Sequence, residues 1–209
     1  GILEGKKLSN DFHHAVAIVG DGALTGGLSF EGLNHLGELK SNLIVIINDN
    51  RISIDANVGG LKNTFEAGRA RDFFNALSLD YWGPFDGHNI RKMIEVFQKA
   101  KQHTKPLVIH LLTKKGQSYL PAEQDPVRFH GCGPFDAQTG HPAGQGDNKK
   151  FQDLFSETLT ELATRDEKIV AITAAMASGT SLDKFQKVHP DRFYDVGLAE
   201  SHAVTFAAG

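Results

Sequence analysis

The chain has 209 residues, of which 40% are hydrophobic and 22% are charged, as is usual for a globular protein of one large or two small domains. A formal net charge of −3 gives no reason to expect nucleic acid or an anionic membrane surface as a partner. The single cysteine, Cys132, excludes an internal disulfide and favours a reducing compartment, and no apolar run approaches the roughly 20 residues of a membrane span.

The first residues have neither an initiating methionine nor the apolar core of a signal peptide. Residues 1–14 are polar, and this predicts a loop or a frayed helix that leads into the first strand. We therefore expect the chain to be a piece of a longer protein, truncated at both ends.

Two apolar runs, residues 15–19 and 43–47, predict buried strands, and apolar residues at helical spacing from 29 to 39 predict the helix between them. Parallel neighbours joined in this way bring Asp21 and Asn50 together at the carboxyl edge of the sheet, where open α/β sheets bind ligands. Carboxylate and amide oxygens suit Mg²⁺ when phosphates complete its shell. The glycines beside Asp21 let the backbone approach those phosphates, and a helix beginning near Thr25 would point its N–H groups at them. Either Gly20-Asp21-Gly22 or Asn48-Asp49-Asn50 alone is typical of an ordinary turn.

Further along the chain, Asp80-Tyr81-Trp82 predicts a short strand followed by a loop. A helix is expected from Ile90 to about Gln102, with Asn89 as its N-cap, whereas residues 61–71 show no clear periodicity. The run 107–112 predicts another buried strand, which ends at Thr113-Lys114-Lys115-Gly116. Lys115 is then either a solvated lysine or a phosphate contact at the same edge of the sheet.

A Gly- and Pro-rich stretch, residues 131–148, is typical of a linker. After it come an amphipathic helix from Phe151, a strand at 169–173, a helix ending before Pro190, a strand at 192–196 and a helix opened by Gly197-Leu198-Ala199-Glu200. The alternation predicts an α/β fold with mostly parallel sheets and helices on both faces, as one near-complete domain and the start of a second.

Five segments carry a resemblance to a known family. In order, they are GDGALTGG at 20–27, NVGG at 57–60, DYWGPFDGH at 80–88, TKKG at 113–116 and DVGLAESHAVTF at 195–206. Together with Asn48-Asp49-Asn50, they resemble the 1-deoxy-D-xylulose-5-phosphate synthase family over nearly the whole chain. The resemblance implies a thiamine-diphosphate-binding fold, with a diphosphate-binding domain at 1–130, a linker at 131–148 and the beginning of a pyrimidine-binding domain at 149–209.

The resemblance also implies thiamine diphosphate and Mg²⁺ as cofactors, and the decarboxylating condensation of pyruvate with D-glyceraldehyde 3-phosphate. Metal ligands are expected from Asp21, Asn50 and the carbonyl of Ile52. Glu200 is expected to hydrogen-bond a ring nitrogen of the aminopyrimidine as a general acid/base, and His130 to lie near the reacting centre. Without the resemblance, Glu200 is a surface residue favoured by the helix dipole and His130 is an exposed loop histidine. The expected cofactor contacts are Gly22, Ala23, Asn50, Lys115, Tyr119 and Glu200.

Alternative functions remain open at this stage. They are a transketolase-type transfer of a two-carbon ketol unit, and a catalytically inactive fragment; the 209 residues alone are expected to bind the cofactor weakly or not at all. The family pattern implies a homodimer with small-molecule substrates, in the cytoplasm or in a plastid. It also implies a considerably longer loop after Gly60 than this chain has. The loop either is naturally short in this variant, was removed deliberately, or is missing from this sequence.

Overall fold

A computed structural model describes residues 1–11, 13–39, 41–144 and 149–209. The described chain divides into two compact units, one of residues 1–51 and 60–114 and the other of residues 52–59 and 115–209. Residues 145–148 of the expected linker lie outside the described residues. No helix in the described part of the chain is long and apolar enough to cross a membrane.

The first unit is built on a four-stranded sheet. Its strands are β1 (Val16–Gly20), β2 (Ile44–Asp49), β3 (Asp80–Asp86) and β4 (Leu107–Leu112). They lie in the order β1-β2-β4-β3, and every neighbouring pair is parallel. The prediction that the first two strands are parallel neighbours is therefore confirmed, with Val19 opposite Ile47.

Helices cover both faces of this sheet, as predicted. They are α1 (Ile2–Leu8), α2 (Gly27–Leu39), α3 (Gly60–Glu66), α4 (Ala70–Ala76) and α5 (Ile90–Ala100). Successive side chains of a strand point to opposite faces, so Val45 and Ile47 join the core beneath α2 and α4, while Ile44 joins the core beneath α5. Phe74 of α4 and Ile109 of β4 are completely buried in these two cores.

Three local features differ from the sequence-based expectation. All but the first residue of helix α3, and the first two residues of α4, lie in the region 61–71, in which no periodicity was evident, because α3 buries no residue and α4 buries only Ala70 and Phe74. The strand expected at 80–82 continues to Asp86, since a bulge between Trp82 and Phe85 lets its pairing with β4 resume. Helix α2 begins at Gly27 after a 3₁₀ turn at Ala23–Thr25, and not near Thr25.

The second unit contains a pair of short parallel strands, β5 (Ala171–Thr173) and β6 (Phe193–Asp195). Its helices are α6 (Leu120–Gln124), α7 (Phe151–Arg165), α8 (Asp183–Val188) and α9 (Glu200–Ala208), with 3₁₀ turns at Arg128–His130 and Pro190–Arg192. Phe185 is completely buried with Ala163, Ala171 and Leu182 in a small core. The apolar side chains Phe151 and Phe155 of α7 are instead exposed, by 93% and 57%.

Candidate functional site

The carboxyl edge of the sheet in the first unit brings Asp21 beside the turn that follows β2. The Asp21 N–H donates to the Asn48 carbonyl at 3.2 Å, and the Arg51 N–H donates to Asp21 Oδ2 at 2.8 Å. Arg51 has a φ of +64°, a left-handed conformation that is uncommon for a residue other than glycine. Asp21 therefore contacts the backbone on both sides of Asn50, the other predicted metal ligand of this unit.

The Asp21 carboxyl group lies in a poorly hydrated, acidic environment. Asp21 is only 7% exposed. Burial, together with the neighbouring Asp49 carboxylate, raises the pKa of Asp21 to about 6. Burial is the largest single influence on Asp49 and raises its pKa, but the hydrogen bonds from His110, Asp21 and the Arg51 N–H, with the charge of His110, together hold that pKa below its ordinary value. A divalent cation bound beside Asp21 would favour its ionised form and so offset the rise in its pKa.

Asn48 and Asp49 of the Asn48-Asp49-Asn50 motif have different hydrogen-bond partners. Asn48 Oδ1 accepts a hydrogen bond from Thr113 Oγ1 at 2.6 Å, and Asp49 Oδ2 lies 2.9 Å from His110 Nε2. Asp49 and His110 are both buried. Sequence reasoning assigned no role to His110, because a lone histidine in the apolar run 107–112 gives no signal of a partner 61 residues earlier.

The donor set at this edge fits Mg²⁺. Among the described residues, no three histidine, cysteine, aspartate or glutamate side chains are grouped to hold a metal. The two predicted ligands of this unit, the Asp21 carboxylate and the Asn50 amide oxygen, are hard oxygen donors of the kind that Mg²⁺ accepts when phosphates complete its shell. A Cβ built on Gly20 meets no atom within 4 Å, so the space beside the strand end is open for a diphosphate. Gly22 and Ala23, the predicted backbone contacts, lie at the start of the 3₁₀ turn in the same region.

The second unit brings together two other predicted residues, Lys115 and His130. Lys115 Nζ donates to the Ser53 carbonyl at 2.7 Å and lies 2.6 Å from His130 Nδ1. Ser53 belongs to a tight loop in which Ile52 forms an antiparallel bridge with Ala56. Ile52, the predicted carbonyl ligand, thus lies in a backbone segment next to the Lys115 contact.

Tyr119 lies in an aromatic cluster of the second unit. Its ring centroid is 5.7 Å from that of Phe129 and 5.9 Å from that of Phe135. Its buried hydroxyl has no hydrogen-bond partner among the described residues. A buried hydroxyl is rarely left without a partner, which fits the prediction that Tyr119 meets a ligand.

Glu200 is the first residue of α9 and is exposed. Just before it, Asp195 Oδ1 accepts hydrogen bonds from the N–H groups of Ala175 and Gly197, both at 2.9 Å. These bonds fix the chain between β6 and α9.

The predicted site residues thus form contacts within each unit. In the first unit, Asp21 lies against the residues that flank Asn50. In the second unit, Lys115 and His130 are in contact, and Glu200 lies at the start of a helix.

Comparison with known proteins covers the whole chain. A sequence profile described as 1-deoxy-D-xylulose-5-phosphate synthase matches residues 1–76 and 68–113, and one described as the pyrimidine binding domain of transketolase matches residues 147–209. Curated relatives named 1-deoxy-D-xylulose-5-phosphate synthase include proteins of Caldanaerobacter subterraneus subsp. tengcongensis and Chlorobium luteolum, both 41% identical. A Geobacter sulfurreducens protein named 1-deoxy-D-xylulose-5-phosphate synthase 1 is 42% identical.

These three alignments cover 100% of this chain and 40% of each relative, so the chain spans about 40% of the length of the curated relatives it matches. The first alignment extends over 251 residues against the 209 of this chain, so at least 42 aligned positions have no residue here. The profile match is likewise split, with both pieces covering residues 68–76. Both findings agree with the expectation of a shortened internal loop.

Proposed function

Because the chain belongs to the 1-deoxy-D-xylulose-5-phosphate synthase family, we propose that the complete protein containing it joins pyruvate, with loss of CO₂, to D-glyceraldehyde 3-phosphate. The product is 1-deoxy-D-xylulose 5-phosphate, which feeds isoprenoid and thiamine synthesis. The observation that carries the proposal is the placement of Asp21 against both sides of Asn50, in a chain that matches this family throughout.

We propose that residues 1–130 form the diphosphate-binding domain, and that residues 149–209 begin a pyrimidine-binding domain joined to it by residues 131–148. Profile matches at 1–113 and 147–209 support this division. Thiamine diphosphate is the proposed cofactor, and when bound it supplies an electron sink for the decarboxylation. Mg²⁺ is the proposed metal.

Residues near the strand ends are proposed to bind the metal and the diphosphate. The Asp21 carboxylate, the Asn50 amide oxygen and the Ile52 carbonyl bind Mg²⁺, as suits a hard cation. The backbone at Gly22 and Ala23 lies against the diphosphate, and Asn50 contacts it too. Lys115 supplies a positive charge for the phosphate oxygens. Support comes from the raised pKa of Asp21, which a bound cation would offset, and from the open space beside Gly20.

Proton transfer is the proposed task of Glu200 and His130. Glu200 holds a proton at a ring nitrogen of the aminopyrimidine, as a general acid/base. When His130 Nδ1 accepts a hydrogen bond from Lys115, the neutral imidazole carries its proton on Nε2, where it can be donated to a substrate oxygen. Tyr119 contacts the cofactor, and its buried hydroxyl without a described partner supports this.

Turnover by the complete protein tests the proposal. We expect ¹⁴CO₂ from [1-¹⁴C]pyruvate in the presence of D-glyceraldehyde 3-phosphate, thiamine diphosphate and Mg²⁺. Glu200→Gln should lower kcat by about 10²- to 10⁴-fold, the usual contribution of a general acid/base. No CO₂ release from a folded protein that binds the cofactor would contradict the proposed activity and leave a ketol transfer or a catalytically inactive protein as the alternatives.

A transketolase-type ketol transfer is the alternative, and the match of residues 147–209 to the transketolase pyrimidine domain favours testing it. This reaction would consume a ketose phosphate without releasing CO₂. Assaying the same preparation with pyruvate and with a ketose phosphate separates the two activities, because CO₂ release that requires pyruvate excludes the ketol transfer.

Cofactor binding can be measured without turnover. At about 100 times its dissociation constant, thiamine diphosphate with Mg²⁺ should stabilise the complete protein by about 2.7 kcal/mol. Asp21→Ala should lose this stabilisation. A shift of equal size in Asp21→Ala would contradict the proposed metal site, and the same titration on the 209 residues alone tests the expectation that they bind weakly or not at all.

We further propose that the complete protein is a homodimer and acts in the cytoplasm on small molecules, with no nucleic acid or membrane partner. Exposed apolar side chains such as Phe151 on α7 and Ile18 on β1 support an association that covers apolar surface. Light scattering after size-exclusion chromatography should give twice the mass of the complete chain, and a monomer would contradict the proposal.

A further inference from the structure

A buried chain of hydrogen bonds crosses three strands of the sheet and ends at Asp49. Tyr81 Oη of β3 lies 2.7 Å from His110 Nδ1 of β4, and His110 Nε2 lies 2.9 Å from Asp49 Oδ2 of β2. The three residues are only 4%, 3% and 6% exposed. Every other member of the run 107–111 is apolar and buried, so the histidine is a polar exception within the core.

The direction of this chain follows from its chemistry. An ionised carboxylate only accepts hydrogen bonds, so His110 Nε2 carries the proton that is donated to Asp49. The other ring nitrogen of the neutral imidazole then accepts the Tyr81 O–H. Burial raises the pKa of Tyr81 to about 12, so this hydroxyl keeps its proton. Tyr81 therefore selects the histidine tautomer that can donate to Asp49.

Asp49 connects His110 to the backbone turn at Asn50-Arg51, which carries a proposed metal ligand. Its other oxygen, Oδ1, accepts the Arg51 N–H at 3.2 Å, and the same N–H donates to Asp21 Oδ2 at 2.8 Å. Two carboxylates thus hold one backbone N–H, in the residue that adopts a left-handed conformation directly after Asn50. Rotation of the Asp49 carboxylate would release one of these two bonds.

We propose that His110 is a positioning residue for the metal site: through Asp49 it holds the Asn50-Arg51 turn and the Asp21 carboxylate in the arrangement that binds the divalent cation and diphosphate. This inference rests on the proposed function. An apolar side chain at position 110 would leave the buried Asp49 carboxylate and the Tyr81 hydroxyl without their partner, so it should also lower the stability of the protein. A specific arrangement of the metal ligands is what the histidine provides.

Metal affinity measured apart from turnover tests this role. Mn²⁺ replaces Mg²⁺ as a paramagnetic probe, and its binding to the complete protein with saturating thiamine diphosphate is followed by electron paramagnetic resonance. His110→Leu should weaken Mn²⁺ binding by about 10- to 100-fold, as is usual for residues that orient metal ligands. His110→Gln should largely restore it, because the glutamine amide N–H can reach Asp49. Tyr81→Phe should weaken it by roughly threefold to tenfold, the effect of one lost hydrogen bond.

A second histidine–aspartate pair, between the segment after α5 and the start of β3, supplies the control. His103 Nε2 lies 3.0 Å from Asp80 Oδ2, at the amino end of β3 and away from the strand ends that bear Asp21. His103→Leu should leave Mn²⁺ affinity unchanged, even where unfolding in urea shows a loss of stability similar to that of His110→Leu.

The outcomes separate this inference from the proposed function. Unchanged Mn²⁺ affinity in folded His110→Leu overturns the inference alone, and an equal loss in His103→Leu does the same. If His110→Leu does not fold, Tyr81→Phe decides, and wild-type affinity there overturns it. If the unmodified protein binds no Mn²⁺ in a manner that depends on Asp21, the proposed metal site itself is wrong and the inference falls with it.

Discussion

Asp21 is a residue whose ionisation couples the proposed metal site to pH. Its pKa is raised to about 6, so the folded chain favours the protonated carboxyl group more than the unfolded chain does. The stability that this preference contributes is fully present below the unfolded pKa of about 4, and it is lost as pH rises through about 6. Without metal, this group therefore makes the protein less stable at pH 7.5 than at pH 4.5.

We predict that Asp21→Asn stabilises the metal-free protein at neutral pH, because the amide removes a buried charge next to Asp49. After allowance for partial solvent screening, the gain should be about 1–2 kcal/mol at pH 7.5 and close to zero at pH 4.5. Urea unfolding in EDTA at the two pH values measures it. Equal or lower stability of the variant at pH 7.5 would contradict the argument.

Added Mg²⁺ and thiamine diphosphate should reverse this order. The unmodified protein then gains stability through binding, whereas Asp21→Asn gains little because it lacks the carboxylate ligand. A stabilisation of the variant equal to that of the unmodified protein would show that Asp21 does not bind the metal.

At the scale of single residues, the sequence was sufficient to identify the candidate ligands that directly follow a strand. Asp21 and Asn50 each follow an apolar run, so their common edge could be inferred from the alternation of strand and helix. Asp49, His110 and Tyr81 could not be connected in this way, because their contacts depend on the order of β2, β4 and β3 in the sheet. The interactions that hold a candidate site can thus be harder to predict than its ligands.

Helix α2 approaches the segment that follows α4 closely at one of its glycines. Gly37 weakens the helical pattern in the sequence, but a Cβ at this position would lie 2.1 Å from the Leu77 carbonyl oxygen, which follows α4. The glycine therefore permits a close approach between α2 and the end of α4. Gly32 on the same helix has no atom within 4 Å of an added Cβ.

We predict opposite effects of the same substitution at these two glycines. Gly32→Ala should stabilise the protein by about 0.5–1 kcal/mol through helix propensity, whereas Gly37→Ala should destabilise it by about 1–3 kcal/mol because backbone must move. Chemical denaturation of the pair checks this. A gain of stability at position 37 would mean that the two segments separate easily.

The start of α5 offers a second prediction at this scale. Asn89 was expected to be its N-cap, and this is confirmed, since Asn89 Oδ1 accepts the Lys92 N–H at 3.0 Å. Asn89→Ala should cost about 1 kcal/mol of stability, and Asn89→Asp should keep most of it. Equal stabilities of the two variants by urea unfolding would show that the bond contributes nothing.

Elements could be predicted where burial imposes a pattern on the sequence. Strands β1, β2 and β4 were recognised from apolar runs and α5 from its periodicity, whereas only the first three residues of β3 were predicted as strand. Helices α3 and α4 were missed because few of their residues are buried. On α7, the pattern identified residues that share a face, but it could not tell that Phe151 and Phe155 are exposed, since periodicity does not say what covers a face.

At the scale of the whole chain, composition and alternation indicated the α/β class but not how segments are distributed. The tight loop at 52–59 groups with residues 115–209, although it lies in sequence between two parts of the first unit. Its grouping rests on long-range contacts such as the bond from the Ser178 N–H to Asp55 Oδ2 at 2.9 Å. No local pattern in the sequence records a contact across 123 residues.

The strand order β1-β2-β4-β3 has a consequence for synthesis on the ribosome. Strands β1 and β2 can pair early, but β3 pairs with β4 and must wait for residues 107–112 to emerge. Contacts between distant segments also form slowly. Paired residues of β2 and β4 lie 63 positions apart (Ile44 and Leu107), against 28 for β1 and β2 and 27 for β3 and β4, so in pulsed hydrogen exchange during refolding we expect the amides that pair β2 with β4 to be protected last. The nascent chain would then complete its candidate metal site last, when β4 brings His110 to Asp49.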